Sequence, residues 1–128
     1  MSQDKPVAII TGGGTGIGAA CSRILSRDGF RVGINYIDPV EEQSRQVLSE
    51  LEDGFLLKAD LSNPDEIETM IAEIREKARR VDVLVNGAGI SINKDINSMT
   101  LDDFDLQRAI VRGSWYLTKR ILRLFMLR

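Results

Sequence analysis

The chain has 128 residues, of which 43% are hydrophobic, so it can form one globular domain with a buried core but is short for a complete α/β enzyme. Its 17 basic and 19 acidic residues leave a net charge of -2, which would attract neither nucleic acid nor an anionic membrane surface. It contains no histidine, which excludes histidine-based general bases, zinc sites built on histidine and serine hydrolase triads.

The cysteine content and the N-terminal sequence indicate a cytoplasmic protein. The single cysteine, Cys21, cannot form an internal disulfide, and its place in an apolar helical stripe is typical of a small buried hydrophobe. The N-terminal sequence MSQDKP lacks the basic start and long apolar core of a signal peptide. No window approaches the ~20 apolar residues of a membrane span. We therefore expect neither a membrane nor a nucleic acid among the partners.

A glycine-rich stretch follows the first predicted strand. The apolar run VAII, residues 7–10, leads into TGGGTGIG, residues 11–18, and then into an amphipathic segment. Glycines at 12, 16 and 18 carry no Cβ and tolerate unusual backbone angles, so the main chain can approach a pyrophosphate closely. The next helix would direct free N–H groups and its positive dipole end at that anion. The same cluster is also typical of an ordinary turn, so the surrounding chain has to decide.

The first two predicted helices are separated by a short strand. The first helix ends at Gly29, and its apolar residues recur at a spacing that would lay one face on a sheet: Ile17, Ala20, Cys21, Ile24 and Leu25. Residues 32–34 form the second strand. Asp38 followed by Pro39 predicts the N-cap and first turn of the second helix, whose apolar positions are Val40, Val47, Leu48 and Leu51.

The second half of the chain repeats the alternation of strand and helix. Residues 55–57 predict a third strand, and residues 62–66 carry capping and acidic residues that open a third helix. The apolar face of that helix comprises Ile67, Met70, Ile71, Ile74 and Ala78. Residues 81–85 predict a fourth strand, and a polar loop over residues 90–100 leads to a long helix from about Leu101 to the end of the chain.

Apolar strands that alternate with helices predict an α/β fold. We expect a Rossmann-type doubly wound parallel sheet of about four strands and four helices, forming one domain over residues 1–128. Gly12, Tyr36, Asp60 and Asn86 all fall at the carboxyl ends of strands, where ligands bind in such folds. A flavodoxin-like or response-regulator domain would also suit the length, but the acidic cluster of a phosphoacceptor site is absent from the strand ends.

Three motifs at matching places resemble the short-chain dehydrogenase/reductase family. They are the glycine pattern of residues 11–18, Asp60-Leu61 after the third strand, and Asn86-Gly87-Ala88-Gly89 after the fourth. The 3-oxoacyl carrier-protein reductase and glucose dehydrogenase types look nearest, because Asn35-Tyr36 ends the second strand in a similar way. The resemblance covers nearly the whole chain, but only the N-terminal half of a usual family member.

The resemblance implies a set of residues that bind a nicotinamide dinucleotide. The glycine loop would hold the diphosphate, Asp60 would accept a hydrogen bond from the adenine amino group, and residues 86–89 would line the adenosine ribose and brace the first strand. The implied cofactor-binding residues are Gly12, Thr15, Gly16, Ile17, Gly18, Tyr36, Asp60, Leu61, Asn86, Gly87, Ala88 and Gly89. Two of them also have simpler interpretations: Asp60 as a turn cap and Asn86 as a partner for loop backbone groups.

The choice between the two nicotinamide cofactors is poorly encoded. NAD-preferring relatives carry an acid at the position of Tyr36, whereas NADP-preferring relatives carry arginine near Thr15 or Ile37, and this chain has neither. Asp38 is a further candidate for the ribose, besides its interpretation as a helix cap. We expect NAD or NADP, with NADP slightly favoured because no acid at residue 36 would repel a phosphate.

No catalytic residue and no metal ligand are predicted in this chain. The serine, tyrosine and lysine of the family would lie on elements beyond Arg128. Tyr116 and Lys119 are one residue short of the YxxxK spacing and belong to the fourth helix, and Ile110 stands where relatives usually carry an asparagine. We therefore expect the 128-residue chain alone to be inactive.

Two functions remain open from the sequence. One is the NAD(P)-binding half of an oxidoreductase that transfers a hydride between nicotinamide and a ketone or secondary alcohol, of the 3-oxoacyl reductase type. The alternative is a non-catalytic Rossmann module that binds a dinucleotide or a partner subunit. The helix over residues 101–128 is apolar on more than one face, which predicts a homo-oligomer or a partner subunit on that helix.

Overall fold

The structure, a computed structural model, describes residues 5–127. Residues 1–4 and 128 lie outside the described part, and with them the prediction about the N-terminal start and the predicted last residue of the long helix. Within residues 5–127, no helix combines the length and the apolar character that crossing a membrane would require.

Within the described residues, four parallel strands alternate with four α-helices. The elements are β1 (Val7–Thr11), α1 (Gly16–Arg27), β2 (Arg31–Tyr36), α2 (Glu41–Glu50), β3 (Gly54–Lys58), α3 (Pro64–Lys77), β4 (Val83–Asn86) and α4 (Leu101–Ile121). A 3₁₀ turn, Asp38–Val40, precedes α2, and a π-helical turn, Leu122–Met126, follows α4. The sheet order is β3-β2-β1-β4, so β1 is central and pairs in parallel with both β2 and β4. The predicted fold class is confirmed.

The side chains of the central strands alternate between two cores. One core lies under α1 and α2, and its buried residues are Ala8, Ile10, Ala19, Val32, Ile34 and Val47. The other lies under α3 and α4, and its larger buried residues are Ile9, Leu57, Ile67, Met70, Ile74, Leu117 and Ile121. Helices therefore cover both faces of the sheet, which leaves the strand ends as the place where a cleft can open.

The predicted inner face of α1 is wrong in part: Cys21 and Leu25 are half-buried and pack against the core under α1 and α2, but the other three residues are exposed. Ile17 and Ile24 are 83% and 53% exposed, and Ala20 is also exposed. The residues of α1 that are buried are small: Gly18, Ala19, Ser22 and Ser26. The physical reason is close packing, since a Cβ on Gly18 would lie 2.0 Å from the carbonyl oxygen of Gly12. Only small side chains fit where the helix approaches the first loop so closely.

The helix ends agree with the sequence at two places and disagree at one. Gly29 has a φ of +96 and follows the end of α1, and Asn63 caps α3 by accepting a hydrogen bond from the Asp65 N–H at 3.0 Å. The predicted N-cap role of Asp38 is wrong, because Ile37 occupies the N-cap position of the 3₁₀ turn. The Asp38 carboxylate lies instead 2.8 Å from the Lys58 ammonium group, at the end of β3.

Candidate functional site

A cleft of about 420 Å³ opens at the carboxyl edge of the sheet. It lies between the glycine loop, the end of β2, the segment after β3 and the segment after β4. Its lining includes every residue of the predicted cofactor-binding set except Asn86. The lining residues outside that set are Asn35, Ile37, Val40, Ala59 and Ile110. Residues from five separate stretches of chain, Ile110 of α4 being the last, thus meet at one site.

The glycines of the loop serve different physical purposes. Gly12 and Gly16 have φ angles of +61 and +51, in the region that favours glycine. A Cβ on Gly16 would meet nothing within 4 Å, so this backbone faces open space beside the cleft. A Cβ on Gly12 would lie 3.1 Å from the Cα of Ala88, which means that the glycine loop is packed directly against the segment after β4.

The N-terminus of α1 has free backbone N–H groups and no acidic residue in its first turn. The first N–H groups of a helix have no partner within the helix, and here they belong to Gly16, Ile17 and Gly18. Thr15 at the N-cap is extended and makes no capping bond through its side chain. Among the four α-helices of residues 5–127, α1 alone has no acidic residue in its first turn. This helix end is therefore suited to an anion.

The segment after β4 is tied to the first strand. The hydroxyl oxygen of Thr11, a buried residue, accepts hydrogen bonds from the backbone N–H groups of Gly87 and Ala88, both at 3.0 Å. These two hydrogen bonds fix the position of residues 87–89, which form one wall of the cleft, relative to the end of β1. The bracing of the first strand that the resemblance implied is thus made by this segment through Thr11.

Asn86 lies apart from the cleft. Its side-chain amide donates to the hydroxyl of Thr118 on α4 at 3.1 Å. The residue is exposed and anchors the end of β4 to the neighbouring helix. The hydrogen bond that the structure gives to this side chain is therefore to another side chain and not to loop backbone groups. The contact between Asn86 and a cofactor stays a prediction.

Asp60 and Leu61 form the wall that follows β3. One carboxylate oxygen of Asp60 accepts hydrogen bonds from the Ser62 N–H at 2.9 Å and the Ser62 hydroxyl at 2.7 Å. Asp60 thus caps a turn, as its simpler interpretation indicated, and it also lines the cleft. Leu61 is 4% exposed and belongs to the core beneath α3 and α4. The adenine contact of Asp60 stays a prediction.

Tyr36 ends β2 beside the cleft and is 7% exposed. Its hydroxyl donates to a carboxylate oxygen of Glu41 at 3.4 Å. Burial raises the pKa of this phenol, and the nearby Glu41 carboxylate raises the pKa further. Tyr36 is therefore neutral over the physiological range and presents an uncharged ring to the cleft.

Two residues that line the cleft, Asn35 and Ile110, were not among the predicted cofactor-binding residues. Asn35 is 2% exposed, and its side-chain amide forms hydrogen bonds with backbone groups of neighbouring loops. An asparagine inside an apolar strand was the available signal, since a buried amide has to find partners. Ile110 of α4, noted for standing at an asparagine position of the family, lies in the cleft wall.

Tyr116 and Lys119 do not form a reactive pair at the cleft. The Tyr116 hydroxyl donates to the Glu68 carboxylate, which Arg120 also contacts at 2.8 Å. The Lys119 ammonium group lies 5.5 Å from the centre of the Trp115 ring. Neither residue lines the cleft. Within residues 5–127, no group of three or more histidine, cysteine or carboxylate residues is arranged to hold a metal ion.

The fold and the cleft together define a Rossmann-type α/β protein with a glycine-rich first loop. Residues 6–127 match the family model described as short chain dehydrogenase. The chain belongs to the short-chain dehydrogenase/reductase family.

Individual relatives agree with this assignment. A short-chain dehydrogenase/reductase of Armillaria gallica is 36% identical over 120 residues, which cover 90% of this chain and 46% of that protein. A 3-oxoacyl-acyl-carrier-protein reductase of Staphylococcus aureus is 31% identical over 102 residues, covering 77% of this chain and 41% of that one. The crystal structure of a Burkholderia cenocepacia short chain dehydrogenase in complex with NADP has a TM-score of 0.88 and 30% identity, covering 94% and 51%. This chain spans about half the length of the relatives it matches.

Proposed function

We propose that this chain binds NAD or NADP in the cleft, as the cofactor-binding part of an NAD(P)-dependent oxidoreductase. The observation that carries the proposal is the N-terminus of α1, which lacks an acidic residue in its first turn and adjoins the open backbone of Gly16. A diphosphate is the anion that suits a row of backbone N–H groups in a glycine loop.

The chemistry of the cleft residues suits a dinucleotide. Gly16, Ile17 and Gly18 would hold the diphosphate through backbone N–H groups. Asp60 would accept from the adenine amino group, and residues 87–89 would line the adenosine ribose. The bound nicotinamide supplies or accepts the hydride in a reaction with a ketone or secondary alcohol.

The substrate class and the activity of the isolated chain belong to the same proposal. The 31% identity to the Staphylococcus aureus reductase supports a 3-oxoacyl-type substrate for the whole protein. Within residues 5–127, the cleft is not lined by a serine or a lysine, and its tyrosine, Tyr36, bonds to Glu41. We expect the 128-residue chain alone to bind cofactor without turning over a ketone.

NADP is the cofactor slightly favoured by the proposal. The Burkholderia cenocepacia relative was crystallised with NADP. Tyr36 is neutral at the end of β2, and its uncharged ring would not repel a ribose 2′-phosphate.

Titration with NADH and NADPH, followed by nicotinamide fluorescence, tests the proposal. Gly16→Trp should abolish binding, because the indole would fill the space beside the first turn of α1. Gly29→Trp is the matched control, since Gly29 also has a positive φ and nothing within 4 Å of its Cβ position, but lies at the other end of α1. Binding that survives Gly16→Trp, or is lost equally in Gly29→Trp, would refute the proposed site.

The alternative is a module that acts through partner binding alone. Exposed apolar side chains along α4 favour it, among them Leu101, Val111 and Trp115, which are 82%, 71% and 62% exposed. We propose that this face contacts a second copy or a partner subunit, whether or not a dinucleotide is bound. A protein that forms oligomers but binds neither NADH nor NADPH would select this alternative. The cytoplasmic location stays a prediction that rests on the sequence.

A further inference from the structure

Asn35 joins two walls of the cleft through one buried side chain. Its amide oxygen accepts a hydrogen bond from the Gly12 N–H at 3.3 Å, at the start of the glycine loop. Its amide nitrogen donates to the carbonyl oxygens of Leu57 at 3.1 Å and Ala59 at 3.0 Å, at the end of β3. The residue itself sits on β2, the strand between β1 and β3.

The backbone of Asn35 adds to the same connection. Its carbonyl oxygen accepts a hydrogen bond from the Gly13 N–H at 3.1 Å. Gly12 and Gly13 therefore both direct their N–H groups at Asn35 and away from any ligand. The N–H groups of Gly12 and Gly13 are therefore not available to an anion, whereas those of the first turn of α1 are, so Asn35 turns the start of the loop away from the cleft.

A buried amide with these bonds is geometrically demanding. A donor and an acceptor on one planar group fix the distance between the groups that they contact. Here the contacted groups are the start of the glycine loop and Ala59, the residue before Asp60. If the diphosphate lies on the first wall and the adenine on the second, the amide sets the distance that a bound nucleotide has to span.

We propose that Asn35 is a positioning residue that sets the separation of the diphosphate and adenine subsites. This inference rests on the proposed function, because it concerns a nucleotide that contacts both walls at once. A preorganised separation favours ligands that touch both walls, since no binding energy is spent on ordering the loop. Ligands that touch one wall alone gain nothing from it.

Two substitutions separate the bonds of the amide. Asn35→Leu removes the acceptor for Gly12 and the donor to the β3 end. Asn35→Asp has nearly the same shape and keeps an acceptor for Gly12, but it places a carboxylate against the carbonyl oxygens of Leu57 and Ala59. Ser26→Ala is the matched control, because it removes a buried hydroxyl that accepts the Glu52 N–H at 3.1 Å, far from the cleft.

The binding experiment compares ADP, which would contact both walls, with adenosine, which would contact the β3 wall only. Each is titrated into the full chain and followed by NMR, at a temperature where thermal unfolding shows every variant to be folded. We expect both Asn35 variants to weaken ADP binding about 10-fold or more while changing adenosine binding less than about 2-fold. Ser26→Ala should lose stability without changing either affinity.

Amide hydrogen exchange provides a readout that needs no ligand. The Gly12 N–H should exchange faster in Asn35→Leu and stay protected in Asn35→Asp, whereas the Gly13 N–H, bonded to a backbone oxygen, should stay protected in both. Unchanged Gly12 exchange in Asn35→Leu would overturn the inference.

The outcomes distinguish the two proposals. If the unmodified chain binds neither ADP nor NADPH, the proposed function fails and the positioning role fails with it. If the unmodified chain binds both, but the Asn35 variants weaken ADP and adenosine equally or not at all, the proposed function stands and the positioning role is wrong. If Asn35→Leu is unfolded at every temperature, the ADP and adenosine affinities of Asn35→Asp decide; if Asn35→Asp is unfolded, the affinities and the Gly12 exchange of Asn35→Leu decide.

Discussion

Two glycines of the first loop are required for opposite reasons. At Gly18 the requirement is steric, because the Gly12 carbonyl oxygen would lie 2.0 Å from an added Cβ. At Gly16 it is conformational, because the residue has a φ of +51 but faces open space. The same residue type thus serves the packing of α1 at one position and the shape of the cleft at the other.

This difference predicts separate effects of two alanine substitutions. Gly18→Ala should lower the free energy of unfolding by about 3 kcal/mol, because the clash is with rigid backbone. Gly16→Ala should cost about 1 kcal/mol, the strain of a side chain at positive φ. Urea denaturation measures both. Gly29→Ala is the control, because Gly29 also has a positive φ and open space around its Cβ position, so its loss of stability measures conformational strain alone. Equal losses of stability for Gly18→Ala and Gly16→Ala would show that α1 does not approach the loop this closely.

The acidic group of Glu68 joins α3 to α4. Its carboxylate accepts from the Arg120 guanidinium and from the Tyr116 hydroxyl, and these two hydrogen bonds, that of Arg120 first, lower the pKa of Glu68. A carboxyl group with a lowered pKa in the folded state contributes stability above its unfolded pKa. That contribution is lost as the pH falls through the folded pKa.

We therefore expect Glu68→Gln to lower the thermal unfolding midpoint at neutral pH and to make it less dependent on pH in the acid range below about 4.5. Thermal unfolding at a series of pH values measures this. Glu73→Gln, on the same helix, removes a surface pair with Lys77 and should leave the midpoint nearly unchanged. Identical pH profiles for Glu68→Gln and the unmodified chain would contradict the role of the cluster.

At the scale of elements, the two faces of the sheet are built differently. Under α3 the core consists of large side chains such as Ile67, Met70 and Ile74, each fully buried. On α1 the fully buried residues are small, Cys21 and Leu25 are half-buried beside them, and the isoleucines Ile17 and Ile24 are exposed. Helix α1 therefore lies close to the sheet beside the glycine loop, which brings its N-terminus to the cleft.

A pair of substitutions tests this asymmetry. Ile24→Ala on α1 should change the free energy of unfolding by less than about 1 kcal/mol, because its side chain is 53% exposed. Ile74→Ala on α3 should cost about 2 to 5 kcal/mol, because it leaves a cavity in a closed core. Urea denaturation compares the two variants. A loss in the free energy of unfolding as large for Ile24→Ala as for Ile74→Ala would show that Ile24 is buried, as periodicity predicted.

For the whole molecule, the exposed apolar side chains of α4 are the main feature that the fold leaves uncovered. Leu101, Phe104, Val111 and Trp115 follow one another at spacings of three, seven and four residues, which keeps them on one side of the helix. Their exposed fractions range from 58% to 82%. A face of this kind on a folded protein marks a contact surface or a cause of aggregation.

Sedimentation velocity should therefore detect self-association of the chain. The double variant Val111→Lys with Trp115→Lys should be monomeric, because two charges in an apolar contact remain unpaired. Ile96→Lys is the matched control: Ile96 is 89% exposed but belongs to the loop before α4, so its substitution should leave association unchanged. A monomer in all three proteins would contradict the proposed contact face.

The sequence by itself determined the order of strands and helices, the parallel fold, the family and nearly all of the cleft. These properties follow from local patterns: apolar runs, helical spacing, glycines at the first turn and polar residues at strand ends. Parallel strands place their carboxyl ends on one edge, so residues as distant as Gly12 and Gly89 could be assigned to one site without coordinates.

Only the tertiary structure decided which apolar side chains are buried and which partner each polar side chain contacts. In the structure Ile17 and Ile24 are exposed, Asp38 forms an ion pair with Lys58, and Asn86 forms a hydrogen bond with Thr118. It also showed that Asn35 connects the glycine loop to the end of β3. Helical and strand periodicity identifies the apolar residues of one segment. The distance between two packed backbones and the partner of a polar group depend on segments far apart in sequence, so local patterns cannot predict either.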